Sequence, residues 1–544
     1  MDTKQLAEQA THLFGKRTSF VLLLQDLAEN FYVERSDFTY QRTLGTEMAG
    51  DLMTSYPLFC RRDLGDQIGQ MLRPTAKEWF HSAPVDPGRE NNDAKKWLQW
   101  ADKVQRRAMF DRVTNYTTAA KQADHDYAAF GQYVKRIRLN RNRDAMLFTT
   151  YHLRDCVWME DGDGKICFFA RKYKATARDL DRTFKNVDTH VTQYLTQGKP
   201  FEEVQCMHMM AASDLWDGPS NGKPWVSIYY DQDHEHTMEA MPQWNMQYVV
   251  ARWQTVSGSQ YAFSPATICA LPEARLIQAM AYTLLEAGEK AVNPPMAVTS
   301  DVVKSDVAIY PGGLTWIDRD YDEKLGAAIR PLFEKNTGLP YGMEAMQDSR
   351  AMLMQAFYLN KLALPQRTAE MTAYEVGQRV QEYIRNALPL FEPMEYECNG
   401  QECEMVFDIL MRNGAFGSPM DMPKSLQGAE IRFGFVSPLH DALEQIKGQK
   451  FAEAKGLIAE AVALDQGAAA LVDVKVALRD TLQGIGTPAL WVRSEVEMED
   501  IEAQQQAAAQ AQQTLAAMQQ GSDVAATMAT AQKDKAAAQQ LVAA

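Results

Sequence analysis

Pro272-Glu-Ala-Arg-Leu-Ile-Gln-Ala-Met-Ala-Tyr-Thr-Leu-Leu-Glu-Ala-Gly-Glu-Lys290 and Met343-Glu-Ala-Met-Gln-Asp-Ser-Arg-Ala-Met-Leu-Met-Gln-Ala-Phe-Tyr-Leu-Asn-Lys-Leu362 decide the fold. Each reads as one helix without an internal break. Pro272 suits a first helical turn, and Asn293-Pro294-Pro295 supplies a firm stop. A helix of about 20 residues is roughly 30 Å long at 1.5 Å per residue. Two such helices, joined by an insert between their distal ends, make a pillar with a lobe at its tip. One chain gives that pillar little to pack against, which predicts a subunit of a larger assembly.

Working outward, the insert offers Met296-Ala-Val and Val307-Ala-Ile-Tyr as short strands and Pro311-Gly-Gly313 as a turn. Beyond the second helix, 363–371 contains Pro365 and reads as a loop. It ends at Thr372-Ala-Tyr-Glu375, a capping box that opens a helix over 372–388.

Upstream, residues 1 to about 130 are helical in pattern: Phe20 to Phe31 repeats apolar positions at three and four, and Leu44–Met53 and Trp97–Phe110 do so more weakly. The pattern then changes to strands. Asp155–Met159 and Ile166–Ala170 flank the turn residues 160–164, and Trp225–Tyr230 follows the turn-rich 217–223. Ala177–Tyr194 reads as a helical insertion in this β-rich region. Downstream, Glu404–Arg412 is a helix stopped by Asn413-Gly414, Ile431–Val436 a returning strand, and 441–482 helical. Residues 495–544 are dominated by Ala and Gln, with helix propensity but no stripe wide enough to bury itself. The fold class is therefore α+β, predominantly helical.

At 544 residues the chain exceeds one core. A composition of 46% hydrophobic and 23% charged residues is that of a soluble globular protein. The net charge of -15 argues against a surface that grips nucleic acid broadly, because such affinity comes from Lys and Arg neutralising phosphates. Seven scattered cysteines make no disulfide framework, and no stretch approaches the 18 apolar residues of a membrane span. The setting expected is a cytosol, with no membrane partner.

Chemistry finds little support. Asp231-Gln-Asp-His-Glu-His236 is the most metal-like cluster, and a metal-dependent hydrolase built on it is the alternative from the enzyme class; a solvated hairpin is the plainer reading. Cys398 and Cys403 have the spacing of half a zinc site but no second pair follows closely, so a turn with two free thiols is expected. Residues 218–224 resemble a phosphate loop, yet they are one residue short and Pro224 stands where a hydroxyl is required. No catalytic residue, metal or cofactor is assigned. In the basic run Lys135–Arg143, strand alternation puts Arg136 and Arg138 on one face, as candidates for contact with DNA or a neighbouring subunit; a charged hairpin rim is the plainer reading.

A resemblance organises these pieces. Tyr261-Ala-Phe-Ser-Pro-Ala, Ala270-Leu-Pro-Glu-Ala-Arg275, Glu289–Met296, Pro311-Gly-Gly313, Ala351–Leu362 and Met371–Arg379 stand in the order found in portal proteins, the head-to-tail connecting proteins of T7-like short-tailed phages. Phe407–Gly414, Leu426–Arg432 and Val436–Leu439 continue it, so the similarity spans about 258–440. The resemblance implies a ring, usually of twelve subunits, at one capsid vertex, assembled in the host cytoplasm and carried in the virion. It passes double-stranded DNA inward during packaging and outward at ejection.

In family terms 1–130 and 131–262 look like the helical and β-rich parts of a wing, 263–291 and 343–362 like stem helices, 292–342 like a clip, and 363–371 like a tunnel loop. Residues 372–440 look like a long helix and returning wing segment, 441–494 like a crown, and 495–544 like a barrel or tail. Lys361, Gln366 and Arg367 are the residues expected to meet DNA at the narrowest point. The terminase large subunit, the tail adaptor, and the major capsid and scaffolding proteins are the implied partners. An internal virion protein ejected with the genome is a further alternative, against which the ordered blocks count.

Overall fold

Asp2 starts the first helix, α1 (Thr3–Lys16). Its carboxylate accepts from the Gln5 amide while the Gln5 side chain accepts from the Asp2 amide, a reciprocal capping box. The computed structural model describes residues 1–298 apart from 44, 76, 141 and 293, residues 329–331 and 338–362, residues 392–435 apart from 419 and 420, and scattered positions elsewhere. The loop 363–371, the capping box at Thr372, the helix over 372–388, the turn at Pro311 and all of the helical stretch 441–482 except Leu478 and Leu482 lie outside the described residues. The architecture is α+β, and the chain divides into two units. One holds Met1–Phe80, Gln105–Asn413 and Phe435–Ala442; the other holds His81–Val104, Gly414–Gly434 and Leu443–Ala544.

In the first unit α2 (Thr18–Phe31) carries the expected repeat and buries Leu24, Leu27, Ala28 and Phe31. Leu44–Met53 forms no helix. Short turns close at Thr46 and Leu52, and the amides of Met53 and Thr54 donate instead to the Gln278 side chain at 2.7 and 2.9 Å. That local bonding competes with the helical ladder. Helix α3 (Tyr56–Leu72) follows.

In the second unit, strand β1 (Phe80–Pro84) pairs with a strand late in the chain, Ile431–Phe435, the returning strand of the sequence pattern. Helix α4 (Asn92–Met109) sets Ala94 and Leu98 against Leu426. The Asp102 carboxylate accepts from the Ser82 amide and hydroxyl at 3.0 and 2.7 Å.

Back in the first unit, α5 (Tyr116–Phe130) is buried along most of its length. It stops at Gly131, whose φ of 69° favours glycine and where a Cβ would lie 2.1 Å from the Phe263 carbonyl carbon.

Two antiparallel sheets follow. β2 (Gln132–Leu139), β3 (Met146–Tyr151), β4 (Cys156–Glu160), β5 (Ile166–Thr176), β6 (Glu203–Ala212), β7 (Trp225–Asp231), β8 (His236–Gln243) and β9 (Tyr248–Arg252) arrange in the orders β3-β2-β9 and β4-β5-β6-β7-β8. The hairpins expected across 160–164 and 217–223 are the β4–β5 and β6–β7 pairs. The helical insertion is two pieces, α6 (Ala177–Thr183) and α7 (Thr189–Thr196). Thr176 and Asp188 each cap one and so break the run. A short pair, β10 (Gln254–Thr255) and β11 (Ala262–Phe263), leads into the central helices.

The first of these, α8 (Pro265–Val292), is longer than the sequence reading. Pro272 lies inside it. Pro265 takes the first-turn position, and the turn is closed by Ile268 donating to the Ser264 carbonyl at 3.1 Å. The stop before Asn293 is where the sequence pattern puts it. Strands β12 (Met296–Val298) and β13 (Ile329–Pro331) pair antiparallel within the insert. The second helix is broken: α9 (Gly338–Ala356) ends before Phe357 and Tyr358, and α10 (Leu359–Leu362) resumes. Tyr358 has φ of 57°, and Phe357 is fully buried with its ring 5.4 Å from that of Phe31. Core packing of Phe357 outweighs helix continuity there.

Cys398 and Cys403 are not on a turn. A π-helical segment, Glu395–Gly400, runs into the helix Gln401–Arg412, and both thiols are buried. This segment is tied to the sheet and helices by buried polar pairs. Arg73 binds Asp124 and donates to Asn399 Oδ1 at 3.0 Å, Tyr133 meets Cys398, and Lys135 Nζ lies 2.5 Å from Glu402 Oε2 with both side chains 0% exposed.

Candidate functional site

The helices α8 and α9 pack on each other as an antiparallel pair. The base of α8 is embedded: Ala266, Ala270, Ala274 and Ile277, spaced at four and three, enter the same apolar core as α2, α3 and α5. Beyond Ile277 no described residue of α8 is buried. In α9 only Ser349 and Leu353 are buried among the described residues. Near the distal ends Leu284 rests on Gly342, where a Cβ would stand 2.6 Å from Leu284 Cδ2, so glycine permits the close approach.

Large apolar side chains remain outside this contact. Leu276 is 47% exposed, Tyr282 56%, Leu285 60%, Tyr341 77%, Met343 60% and Met352 53%. They stand on both helices and on more than one side of each, as apolar surface that this chain alone leaves uncovered. At the base the pair is held firmly: Gln278 donates to the Thr54 carbonyl at 2.8 Å while accepting from two amides of the same loop, and Arg275 binds Asp26. Sequence periodicity found the helices; their exposed side chains needed the fold to be seen.

Of the residues expected to meet DNA, Lys361 lies in α10, one turn past the break at Tyr358. Gln366 and Arg367 lie outside the described residues. Arg136 and Arg138 lie on β2, and the rim expected for this run is only its far end. Lys135 is buried against Glu402, and Arg136, 6% exposed, donates to Gln247 Oε1 at 2.7 Å and to the Tyr229 hydroxyl at 2.8 Å. Arg138 is half-buried beside it, lining a cleft between β2, β8 and the Gln401–Arg412 helix.

The cluster at 231–236 is the β7–β8 turn. Glu235 there has φ of 52°, which breaks strand alternation, and the two imidazoles take different neighbours. His234 Nδ1 meets Asp231 Oδ2 at 2.9 Å and its ring stacks on His190; His236 Nε2 lies 3.3 Å from the Asn186 carbonyl. Burial pushes the thiols of Cys60, Cys156 and Cys206 up to about 12, which keeps them protonated and inert.

The described residues thus give a helix pair with a buried base, a strand-bearing insert between its distal ends and several uncovered apolar side chains. The family of the bacteriophage head to tail connecting protein matches residues 3–492, and the chain belongs to that family. The chain is similar to the portal protein of Salmonella phage epsilon15, 21% identical over 551 residues that cover 98% of this chain and 96% of that one. It is also similar to the probable portal protein of Bordetella phage BPP-1, 25% identical over 420 residues, 75% of this chain and 74% of that one. The function is that of a phage portal, the connector of head and tail, and neither the hydrolase nor the ejection-protein alternative has support.

Proposed function

We propose that copies of this chain close into a ring, of twelve subunits as the family resemblance implies, around a channel that passes double-stranded DNA during packaging and ejection. The observation that carries this reading is the set of large apolar side chains left exposed on α8 and α9. A ring uses heterologous interfaces that close by rotation, so each helix pair would find its cover in the next subunit. In this reading α8 and α9 are the stem, 292–342 the clip that docks the terminase large subunit and later the tail adaptor, and 363–371 the tunnel loop. The two sheets belong to the wing, and 441–494 forms the crown.

The work is passage and not catalysis. A duplex slides only where few cations hold it, and a net charge of -15 keeps such contacts few. Lys361, Gln366 and Arg367 steady the DNA at the constriction, and the energy of translocation comes from the terminase. Residence is in the virion, at the vertex shared with the major capsid protein, after assembly with scaffolding protein in the host cytoplasm.

Electron micrographs and native mass of the purified chain test the ring: closed rings are expected, and persistent monomers at high concentration overturn it. Arg367→Glu is expected to alter DNA packaging or retention while rings stay intact. Unchanged DNA handling removes that residue from the role.

A further inference from the structure

The cleft beside β2 is a second feature that the channel reading does not use. Arg136, Arg138 and Arg143 enter it from the β2–β3 hairpin, Lys223 from the turn before β7, and Arg412 from the helix Gln401–Arg412. Two carboxylates, Glu239 and Asp408, share the lining, which leaves an excess of cations in a chain whose net charge is -15.

Three of these cations are fixed in place. Arg136 is 6% exposed and held by Gln247 and Tyr229. Arg412 lies with Cζ 4.1 Å over the Trp244 ring and donates to both oxygens of Asp408 at 2.8 and 2.7 Å. Lys223 donates to the Pro242 carbonyl at 3.1 Å. Arg138 is different: its Nε is buried and has no hydrogen-bond partner. A buried donor left unmet costs about 1–3 kcal/mol, more when charged, and so calls for an acceptor. Apolar surface adjoins the charges, with Trp244 43% and Met241 39% exposed.

We propose that this cleft docks an acidic peptide segment of a partner protein, its carboxylates meeting Arg138 and Arg412 and its apolar side chains covering Trp244 and Met241. Trp and Arg in one recess are the residue types that carry binding energy at protein interfaces. Duplex DNA fits poorly. Its phosphates lie on the convex surface of a wide, stiff rod that does not enter a recess between β2, β8 and the Gln401–Arg412 helix. A carboxylate on a narrow, flexible stem reaches a guanidinium recessed as Arg138 is.

The test uses the full chain and a short fluorescein-labelled peptide alternating glutamate with leucine, read by anisotropy. Binding that falls with salt, and that is lost for the same peptide with glutamine in place of glutamate, supports the proposal. Arg138→Ala and Trp244→Ala are each expected to weaken it about tenfold to a hundredfold, the scale of one hydrogen bond to a charged group. Circular dichroism and ring formation checked in parallel separate this result from misfolding and from failure of the ring itself. Overturning results are three: no peptide binding by well-formed rings, equal binding of the glutamine peptide, or preference for a duplex oligonucleotide competed by neither peptide.

Discussion

Replacing Lys135 with Met removes one half of an ion pair that water does not reach. Lys135 Nζ and Glu402 Oε2 are 2.5 Å apart, both side chains are 0% exposed, and Glu402 Oε1 has no other hydrogen-bond partner. The pair joins β2, the middle strand of its sheet, to the helix Gln401–Arg412. Breaking a buried pair from one side costs about 3–5 kcal/mol, because the surviving charge stays desolvated. Replacing both partners with apolar side chains of similar volume is often near neutral. Lys135→Met and Glu402→Leu singly are therefore expected to lose about 3–5 kcal/mol each, and the double variant most of neither. Unfolding of a chain with two units is not two-state, so the measurement is amide hydrogen exchange along β2, which reads local opening. At about 1.4 kcal/mol per tenfold, each single variant speeds exchange by roughly 10² to more than 10³. Single variants that change exchange by less than tenfold, or a double variant whose loss is the sum of the two, refute the reasoning.

Two further outcomes follow from local geometry. Gly342→Val places a branched side chain where a Cβ alone stands 2.6 Å from Leu284, and is expected to cost the helix pair about 1–3 kcal/mol. Thermal unfolding and the yield of rings measure it, and an unchanged melting profile counts against the packing described. The second concerns Glu395, whose carboxyl burial and the neighbouring Glu392 raise to about 7 from 4.5. A carboxyl raised on folding binds its proton more tightly in the native state, so stability is greatest below about 4.5 and falls as pH rises to about 7. Glu395→Gln is expected to stabilise the Glu395–Gly400 segment against local opening at pH 8, by about 2 kcal/mol after allowance for solvent screening and read by amide hydrogen exchange, and to do little at pH 4. An equal gain at both pH values refutes the assignment.

What the sequence made legible was period, and what it hid was the choice of tertiary partner. Apolar spacing located α2 and α8, and turn residues located the β4–β5 and β6–β7 hairpins. The rule for a proline in the first helical turn held, but for Pro265 and not Pro272. The interior proline is tolerated, and Pro265 follows Ser264, whose carbonyl closes the first turn. The break at Tyr358 has no local signal, since neither Pro nor Gly marks it; Phe357 reaching Phe31 is a contact across more than three hundred positions. The same holds for the basic run. Alternation placed Arg136 and Arg138 on one face, yet only the fold shows that Lys135 turns inward to Glu402 and that Arg136 is held by Gln247 and Tyr229.

Ion pairs within the fold bear on the proposed passage of DNA past an acidic subunit. Arg35 binds Asp126, Arg73 binds Asp124, Arg252 binds Glu160 and Glu397, and Arg154 binds Asp37 and Asp155. A cation that already serves a carboxylate inside the fold is not free to neutralise phosphate, and the counterion release that gives DNA affinity is lost with it. The four arginines engage six carboxylates, so internal pairing removes charge of both signs from reach of DNA. The charge that remains is still negative in excess, as it is over the whole chain. In the proposed ring, whatever one subunit presents to the duplex is repeated by rotation. A single cation at the constriction then suffices as a ring of cations, while the acidic remainder keeps the duplex from settling against the wall. That division of labour needs cations to be few and placed, and the fold contributes to it by committing these arginines to its own carboxylates.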